Sequence, residues 1–237
     1  LRLMQAVILA GGLATRLGER TKDLPKALLP IAGKPFLAWQ IAAIARSGFS
    51  EVVLCIAHFG AQIREFLGDG AAFGVTVASS EDGPELLGTG GALRRALPLL
   101  RSSFLVTYGD SYLPFDYAAP LRDLDAHPEA LGTMSVFEND GAWDKSNTEV
   151  RGESVVRYEK GGTDPALRYI DYGAIALRRS VLDERPQNAR FGLEQMQAEL
   201  ARAGHLRAYS ASERFYEIGS ELGIRDLEAK LASGAVC

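Results

Sequence analysis

Two short stretches near the start of the chain carry residue types suited to holding a polyphosphate. The first, Leu9-Ala-Gly-Gly-Leu-Ala-Thr-Arg-Leu17, turns through Gly11 and Gly12 and reaches Arg16. Glycines let backbone N–H groups approach phosphate oxygens closely, and consecutive N–H groups form a nest for an anion. The second is Leu24-Pro-Lys-Ala-Leu-Leu-Pro-Ile31, followed by Gly33-Lys-Pro35. Pro25 and Pro30 stiffen the backbone around Lys26, so its ammonium is presented from a fixed segment. A lysine about 4 Å from a phosphate oxygen is worth roughly 4 kcal/mol at an effective dielectric of 20. Such a charge stabilises the transition state of phosphoryl or nucleotidyl transfer. Each stretch alone also has an ordinary reading, a tight strand-to-loop turn and a surface lysine. Neither the G-x-x-x-x-G-K-[ST] phosphate loop nor the G-x-G-x-x-G dinucleotide fingerprint is present.

Further polar groups lie downstream. Tyr108-Gly-Asp-Ser111 puts Asp110 beside Gly109 at the end of an apolar run, a place where a carboxylate can ligate Mg²⁺. Leu87-Gly-Thr-Gly-Gly-Ala-Leu93 brings Gly88 and Thr89 to a helix start, where Thr89 could equally be a plain cap. Glu81 and Asp82 lie just before it. A carboxylate there could accept from guanine N1–H and N2–H, a pair that pyrimidines do not offer. Glu159-Lys160-Gly161 reads alone as an exposed hairpin, and Glu217 as an acid on a short edge strand. The three histidines lack zinc-ligand spacing, and no Ser-His-Asp or Cys-His set is apparent.

The elements that must position these residues alternate. Apolar runs at 5–10, 51–56, 75–78, 104–108 and 131–137 read as buried strands. Helical spacing covers 36–47, 61–67, 91–100 and 117–126. Strands separated by helices imply right-handed βαβ units and a mainly parallel sheet. Beyond Glu138 the pattern changes: 148–150, 154–159 and 169–177 are strand-like with hairpin spacers, and helices return at 191–203 and 220–232. The expectation is an α/β half over about 1–137, then a mixed half over about 138–237, built as one sheet with an added β-element.

Composition bounds the class. Hydrophobic residues make up 47% and charged residues 24% of 237, ordinary globular values. Residues 1–35 hold six basic and two acidic side chains, a balance of +4. The whole chain is −4, so the remaining 202 residues carry −8. A basic N-terminal segment on an acidic body points to a local anionic ligand and argues against a nucleic-acid binder. No apolar run approaches a membrane span, and the first residues lack the pattern of a signal peptide. Cys55 and Cys237 are too few for a disulfide framework. A cytoplasmic protein without membrane or nucleic-acid partners is expected.

The joined pattern, AVILAGG-x-x-TRL then PKALLPIAGKP, resembles the sugar-1-phosphate nucleotidylyltransferase family, and matches continue from Gln5 to about Leu231. The resemblance implies a single domain over 1–237, with a Rossmann-like, mainly parallel sheet flanked by helices and a mixed β-element in the second half. It implies that Gly11, Gly12 and Arg16 hold the triphosphate and that Lys26 sits on the reacting phosphates. Leu9, Ala10, Gly88, Thr89 and Gly109 would surround the nucleotide, and Glu81 would face the base. Asp110 and Glu217 would hold Mg²⁺. Glu159 would grip the sugar and Lys160 its phosphate, with Asn147, Asp171 and Gly173 completing the acceptor side. Two positions depart from the family pattern: Asp171 stands where Asn is usual, and Glu217 where Asp is usual. The expected partners are an NTP and a sugar 1-phosphate, bound by a monomer or small homo-oligomer. Guanylyl transfer to heptose or mannose 1-phosphate fits the short chain and its glycine segments. Uridylyl transfer to N-acetylmuramate 1-phosphate, a non-sugar acceptor, and a catalytically silent nucleotide-sugar sensor are the alternatives.

Overall fold

The structure is a computed structural model that describes residues 3–12, 15–83, 85–139 and 141–233, with backbone alone for Thr15 and Arg16. Cys237 lies outside the described residues. In chain order the first half contains β1 (Gln5–Leu9), β2 (Pro30–Ile31), β3 (Lys34–Pro35), α1 (Phe36–Arg46), β4 (Glu51–Ile56), α2 (Gly60–Leu67), β5 (Thr76–Glu81), α3 (Gly88–Arg95), β6 (Ser103–Tyr108), β7 (Ser111–Tyr112), α4 (Ala119–Ala126) and β8 (Gly132–Glu138). The second half contains β9 (Thr148–Arg151), β10 (Ser154–Tyr158), β11 (Tyr169–Arg178), α5 (Leu193–Arg202), β12 (Leu206–Ser210), β13 (Tyr216–Glu217) and α6 (Glu221–Ala232).

Nine strands form one sheet in the order β5-β4-β1-β6-β11-β8-β12-β10-β9. Strands β5, β4, β1 and β6 are mutually parallel, with Leu9 level with Cys55 on one side and Tyr108 on the other. From β6 onward the sheet is mixed: β11 runs antiparallel to both β6 and β8, and β12 is parallel to β8. The chain leaves β1 towards β4 and β5, then returns to place β6 on the opposite flank of β1. That reversal makes a topological switch point between β1 and β6, where open α/β sheets bind ligands at the carboxyl ends of their strands.

Strand alternation feeds two cores. Ala6, Ile8, Leu54 and Leu105 point to one face, covered by α1, α2 and α4 through Leu37, Ile41, Ile63 and Leu124. Val7, Val53, Phe104 and Val106 point to the other, covered by α3 and α5 through Leu93, Leu193, Met196 and Leu200. Each such fully buried aliphatic side chain contributes about 1.5–3 kcal/mol of transfer free energy. A third cluster joins Leu17, Leu29, Ile31 and Phe36 to Tyr112, Ile218, Ile224 and Leu227, so α6 pins the basic N-terminal loop against β7 and β13.

Besides the two-residue strands β2, β3 and β7, which carry no periodicity of their own, two longer elements differ from the periodicity-based expectation. The helix expected at 91–100 starts at Gly88 and stops at Arg95, followed by a 3₁₀ turn over Leu97–Leu99. Pro98 disfavours helical geometry in the residue before it. Strand β12 was not expected, because Leu206–Ser210 has a short and weakly apolar pattern; it inserts between β8 and β10 by main-chain pairing.

Candidate active site

At the switch point the ends of β1 and β6 open into a cavity of about 270 Å³. Leu9, Ala10, Gly11 and Gly12 line it from the end of β1, Gly88 and Thr89 from the start of α3, and Tyr108, Gly109 and Asp110 from the end of β6, together with Lys26. The two strand ends approach closely: a Cβ on Gly109 would stand 3.0 Å from Ala10 Cβ and 3.1 Å from the Leu9 carbonyl. Most of the residues expected around a nucleotide therefore meet here. Arg16 belongs to a 3₁₀ stretch over Thr15–Thr21, and its side chain lies outside the described residues.

Lys26 opens a 3₁₀ turn over Lys26–Leu28, preceded by Pro25 in extended conformation. Its Nζ lies 2.9 Å from Asp110 Oδ2, with both side chains partly shielded. The segment after β13 closes on the same corner. The Ile218 N–H donates to the Asp110 carbonyl at 3.0 Å, and Lys26 Nζ would lie 3.8 Å from a Cβ on Gly219. Glu217 faces Ser111 across the β7–β13 ladder, one residue from Asp110. The α6 helix holds this corner in place, with Arg20 paired to Glu221 at 2.9 Å and Glu228 accepting the Ala32 N–H.

The acid beside the cavity is Asp82, not Glu81. Glu81 ends the edge strand β5 with its side chain outward, where Arg64 of α2 pairs with it at 2.7 Å. It takes no part in the cavity wall. Asp82, the next residue, turns inward and is 8% exposed, with its Oδ2 accepting the Leu87 N–H at 3.1 Å. Burial pushes its carboxyl above the ordinary range, and the Leu87 N–H and Arg95 pull partly against that. Cys55 lines the same cavity, and burial, aided by the Asp82 charge, raises its thiol to about 12. The sequence signal for Asp82 was adjacency alone; the end of β5 decides which of the two acids faces inward.

The glycines of the α3 start serve packing as well as ligand approach. A Cβ on Gly88 would stand 2.6 Å from the Phe191 carbonyl, one on Gly90 2.3 Å from the Phe191 ring, and one on Gly91 2.4 Å from the Ala189 carbonyl. The segment before α5 lies directly on these glycines. Thr89 does not cap its own helix; its Oγ1 accepts the Leu193 N–H at 2.7 Å and caps the first turn of α5.

Helix α5 leads, one turn further along, to the residues expected on the acceptor side. Gln197 Nε2 donates to Asp171 Oδ2 at 2.8 Å, and the Gly173 N–H donates to Asp171 Oδ1 at 3.0 Å. The Tyr158 hydroxyl also bonds this carboxylate, and Lys160 is close enough to favour its charged form. Burial nevertheless moves the Asp171 carboxyl upward. The Asp171 N–H donates to Asn147 Oδ1 at 2.9 Å, an oxygen that also accepts from Thr148 Oγ1. Asp171 is thus a hub for Gln197, Tyr158, Gly173 and Asn147. Gly173, at φ +93°, brings this hub against the other half of the site, 3.7 Å from Ser111 and the Tyr108 ring as measured from a built Cβ. Glu159 and Lys160 are exposed on the turn closed by the Gly162 N–H bonding the Glu159 carbonyl. Gln197 and Tyr158 were not singled out in the sequence; one sits at a core position of an amphipathic helix and the other in a β-rich run.

The donor chemistry of the Asp110–Glu217 corner fits Mg²⁺. Among the described residues no group of three or more His, Cys, Asp or Glu side chains could hold a metal. A carboxylate on the β6–β7 turn and one on the adjoining strand β13 suit an ion that takes one or two protein ligands and completes its shell with water and phosphate oxygens. Among the described residues no helix is long and apolar enough to cross a membrane.

Comparison with known proteins gives a consistent result. The MobA-like NTP transferase domain matches residues 6–170. The N-acetylmuramate alpha-1-phosphate uridylyltransferase of Neisseria meningitidis is 36% identical over 161 residues, covering 67% of this chain and 70% of its own. The D-glycero-alpha-D-manno-heptose 1-phosphate guanylyltransferase of Campylobacter jejuni is 28% identical over 218 residues, 91% of this chain and 95% of its own. The structure of HddC from Yersinia pseudotuberculosis, complexed with GMP-PN, superposes with a TM-score of 0.80 at 25% identity, over 97% of this chain and 100% of that one.

Proposed function

The chain belongs to the MobA-like NTP transferase family and is a sugar-1-phosphate nucleotidyltransferase, and from that premise we propose that it transfers guanylyl from GTP to heptose or mannose 1-phosphate. The observation that carries the choice of base is Asp82, a buried carboxylate in the cavity wall. Guanine presents N1–H and N2–H side by side, two donors for one carboxylate. Uracil presents a single N–H between two carbonyls, which a carboxylate repels.

In the proposed reaction an oxygen of the sugar phosphate attacks the α-phosphorus in line. A new O–P bond forms, the bond from the α-phosphorus to its bridging oxygen breaks, and pyrophosphate leaves. The attacking oxygen is already ionised at neutral pH, so no general base is needed. The protein contributes positioning and charge neutralisation. Gly11, Gly12 and Arg16 hold the polyphosphate. Lys26 exchanges Asp110 for phosphate oxygens, and stabilises the charge that builds on the leaving pyrophosphate. Asp110 and Glu217 would hold Mg²⁺, which when bound neutralises the α-phosphate and orients the nucleophile. Lys160 anchors the acceptor phosphate, and Asp171 holds the surrounding polar groups in place.

A second reading, uridylyl transfer to N-acetylmuramate 1-phosphate, is favoured by the 36% identity to the Neisseria enzyme. Against it, Asp171 and Glu194 both lie near Tyr158, and the lactyl carboxylate of that sugar would meet like charge there. Pyrophosphate release from GTP, UTP, CTP, dTTP and ATP, each paired with heptose, mannose, glucose and N-acetylmuramate 1-phosphates, decides between them. GTP with a neutral sugar is expected to give the highest kcat/KM. A maximum at UTP with N-acetylmuramate 1-phosphate would replace the guanylyl reading. Nucleotide-sugar binding with no pyrophosphate from any pair would point to a silent sensor.

A further inference from the structure

A buried amide on α1 reaches through the core to the turn that carries Asp110. Gln40 is 0% exposed and shares its helix face with Phe36, Leu37, Ile41 and Ile44. Its Nε2 donates to the Tyr108 carbonyl at 2.7 Å and to the Ser111 carbonyl at 3.0 Å. Those carbonyls bracket Gly109-Asp110, one at the last residue of β6 and the other at the first of β7. Both acceptors are carbonyls, so the amide nitrogen must be the end that faces them. The same turn is held by the Gly109 N–H on the Leu9 carbonyl at 2.9 Å and by the Ile218 N–H on the Asp110 carbonyl. Among these ties, Gln40 alone uses a side chain.

The arrangement is costly for packing. Gln40 Oε1 is buried with no hydrogen-bond partner among the described residues, and a methionine of similar length would fill the position without an unmet acceptor. What the amide contributes is a cross-tie over four residues, which limits how far the Asp110 carboxylate can swing from Lys26. A misplacement of about 1 Å at a reacting group can cost roughly 100-fold in rate.

We propose that Gln40 is a positioning residue that fixes the Asp110 carboxylate by cross-tying the Tyr108 and Ser111 carbonyls. This rests on the reading of Asp110 as a metal ligand in nucleotidyl transfer. Gln40 touches neither substrate nor metal, and acts through the turn.

The test is Gln40→Met, with Asp110→Ala alongside. Three quantities are measured: kcat and KM for each substrate, the Mg²⁺ concentration giving half-maximal rate, and amide hydrogen exchange over residues 108–112 in the free protein. In Q40M kcat is expected to fall about 10- to 100-fold while KM for the nucleotide stays within about twofold. The Mg²⁺ requirement should rise about fivefold or more, and exchange over 108–112 should quicken while exchange in β4 and β8 does not. Gln40→Asn, which keeps the amide but is one methylene too short to span both carbonyls, is expected to shift the same quantities less, and it serves if Q40M does not fold. Wild-type kcat and Mg²⁺ requirement in Q40M, or unchanged exchange over 108–112, would overturn the inference while an inactive D110A left the role of Asp110 standing. Wild-type turnover in D110A would remove both.

Discussion

The two sides of the site are built differently. The proposed nucleotide side is made largely of main chain: the ends of β1 and β6, a glycine loop and the start of α3, all at the carboxyl ends of parallel strands, with the side chains of Lys26 and Asp82 as charged additions. The proposed acceptor side is a side-chain network in which Asp171, Asn147, Gln197 and Tyr158 come from three strand regions and a helix. Backbone groups cannot be mutated away, but the glycines that expose them are constrained, because a Cβ on Gly88, Gly90 or Gly91 would stand 2.6, 2.3 or 2.4 Å from a neighbouring atom. A network of paired side chains is altered by each substitution, so the acceptor side is where relatives can diverge in substrate. Relatives on this scaffold are named for different nucleotidyl groups as well as different sugars, so substrate choice also varies at the side chains that face the base.

The comparison can be broken most directly at the shared corner. Asp110→Ala should reduce kcat by about 10³-fold or more, equivalent to roughly 4 kcal/mol at 1.36 kcal/mol per decade. Its melting temperature should stay within a few degrees of wild type, and chelation of divalent ions should have the same effect on activity in the unaltered protein. Lys26→Met should cost about 10²–10³-fold in kcat, the range for removing one transition-state donor. If either variant instead raised only the KM for the acceptor, the division between the two sides would be misplaced.

Smaller effects sharpen the division. Asp171→Ala should raise the acceptor KM about tenfold and leave the nucleotide KM within about twofold, because it releases Gln197, Tyr158 and the Gly173 turn together. Asp82→Asn should lower kcat/KM for GTP by about tenfold and leave UTP nearly unchanged, the range for one charge-assisted hydrogen-bonding contact. Because burial raises the Asp82 carboxyl, protonation competes with guanine binding at a higher pH than an ordinary carboxylate near 3.9 would allow. The GTP KM should therefore climb as pH falls towards that raised value in the wild type, and should lose that dependence in D82N. Glu81→Gln, which removes the pair to Arg64 on the outer edge of β5, should change every kinetic constant by less than about twofold.

How much of this was legible from the sequence follows the same line. The strands of the parallel half were readable because apolar runs such as EVVLCI are local signals, and the glycine loop, Lys26 and Asp110 lie in short contiguous motifs. Strand β12 was not readable, because Leu206–Ser210 becomes a strand by pairing with β8 and β10 rather than by its own pattern. The sequence offered Thr89 as a nucleotide contact or as a cap of its own helix, whereas its hydroxyl caps α5, 104 positions away in the chain.

The sequence by itself determined the chemistry available: a glycine-lined turn, a proline-stiffened lysine and a carboxylate at a strand end, since residue type and local backbone preference need no partners to be recognised. Tertiary structure alone decided which acid faces the cavity, that Asp171 is tied up by four neighbours, and that a core glutamine grips the turn of Asp110. Those facts depend on which side of a strand end meets a helix packed against it from a distant part of the chain. A one-residue shift reverses such an orientation without altering local composition.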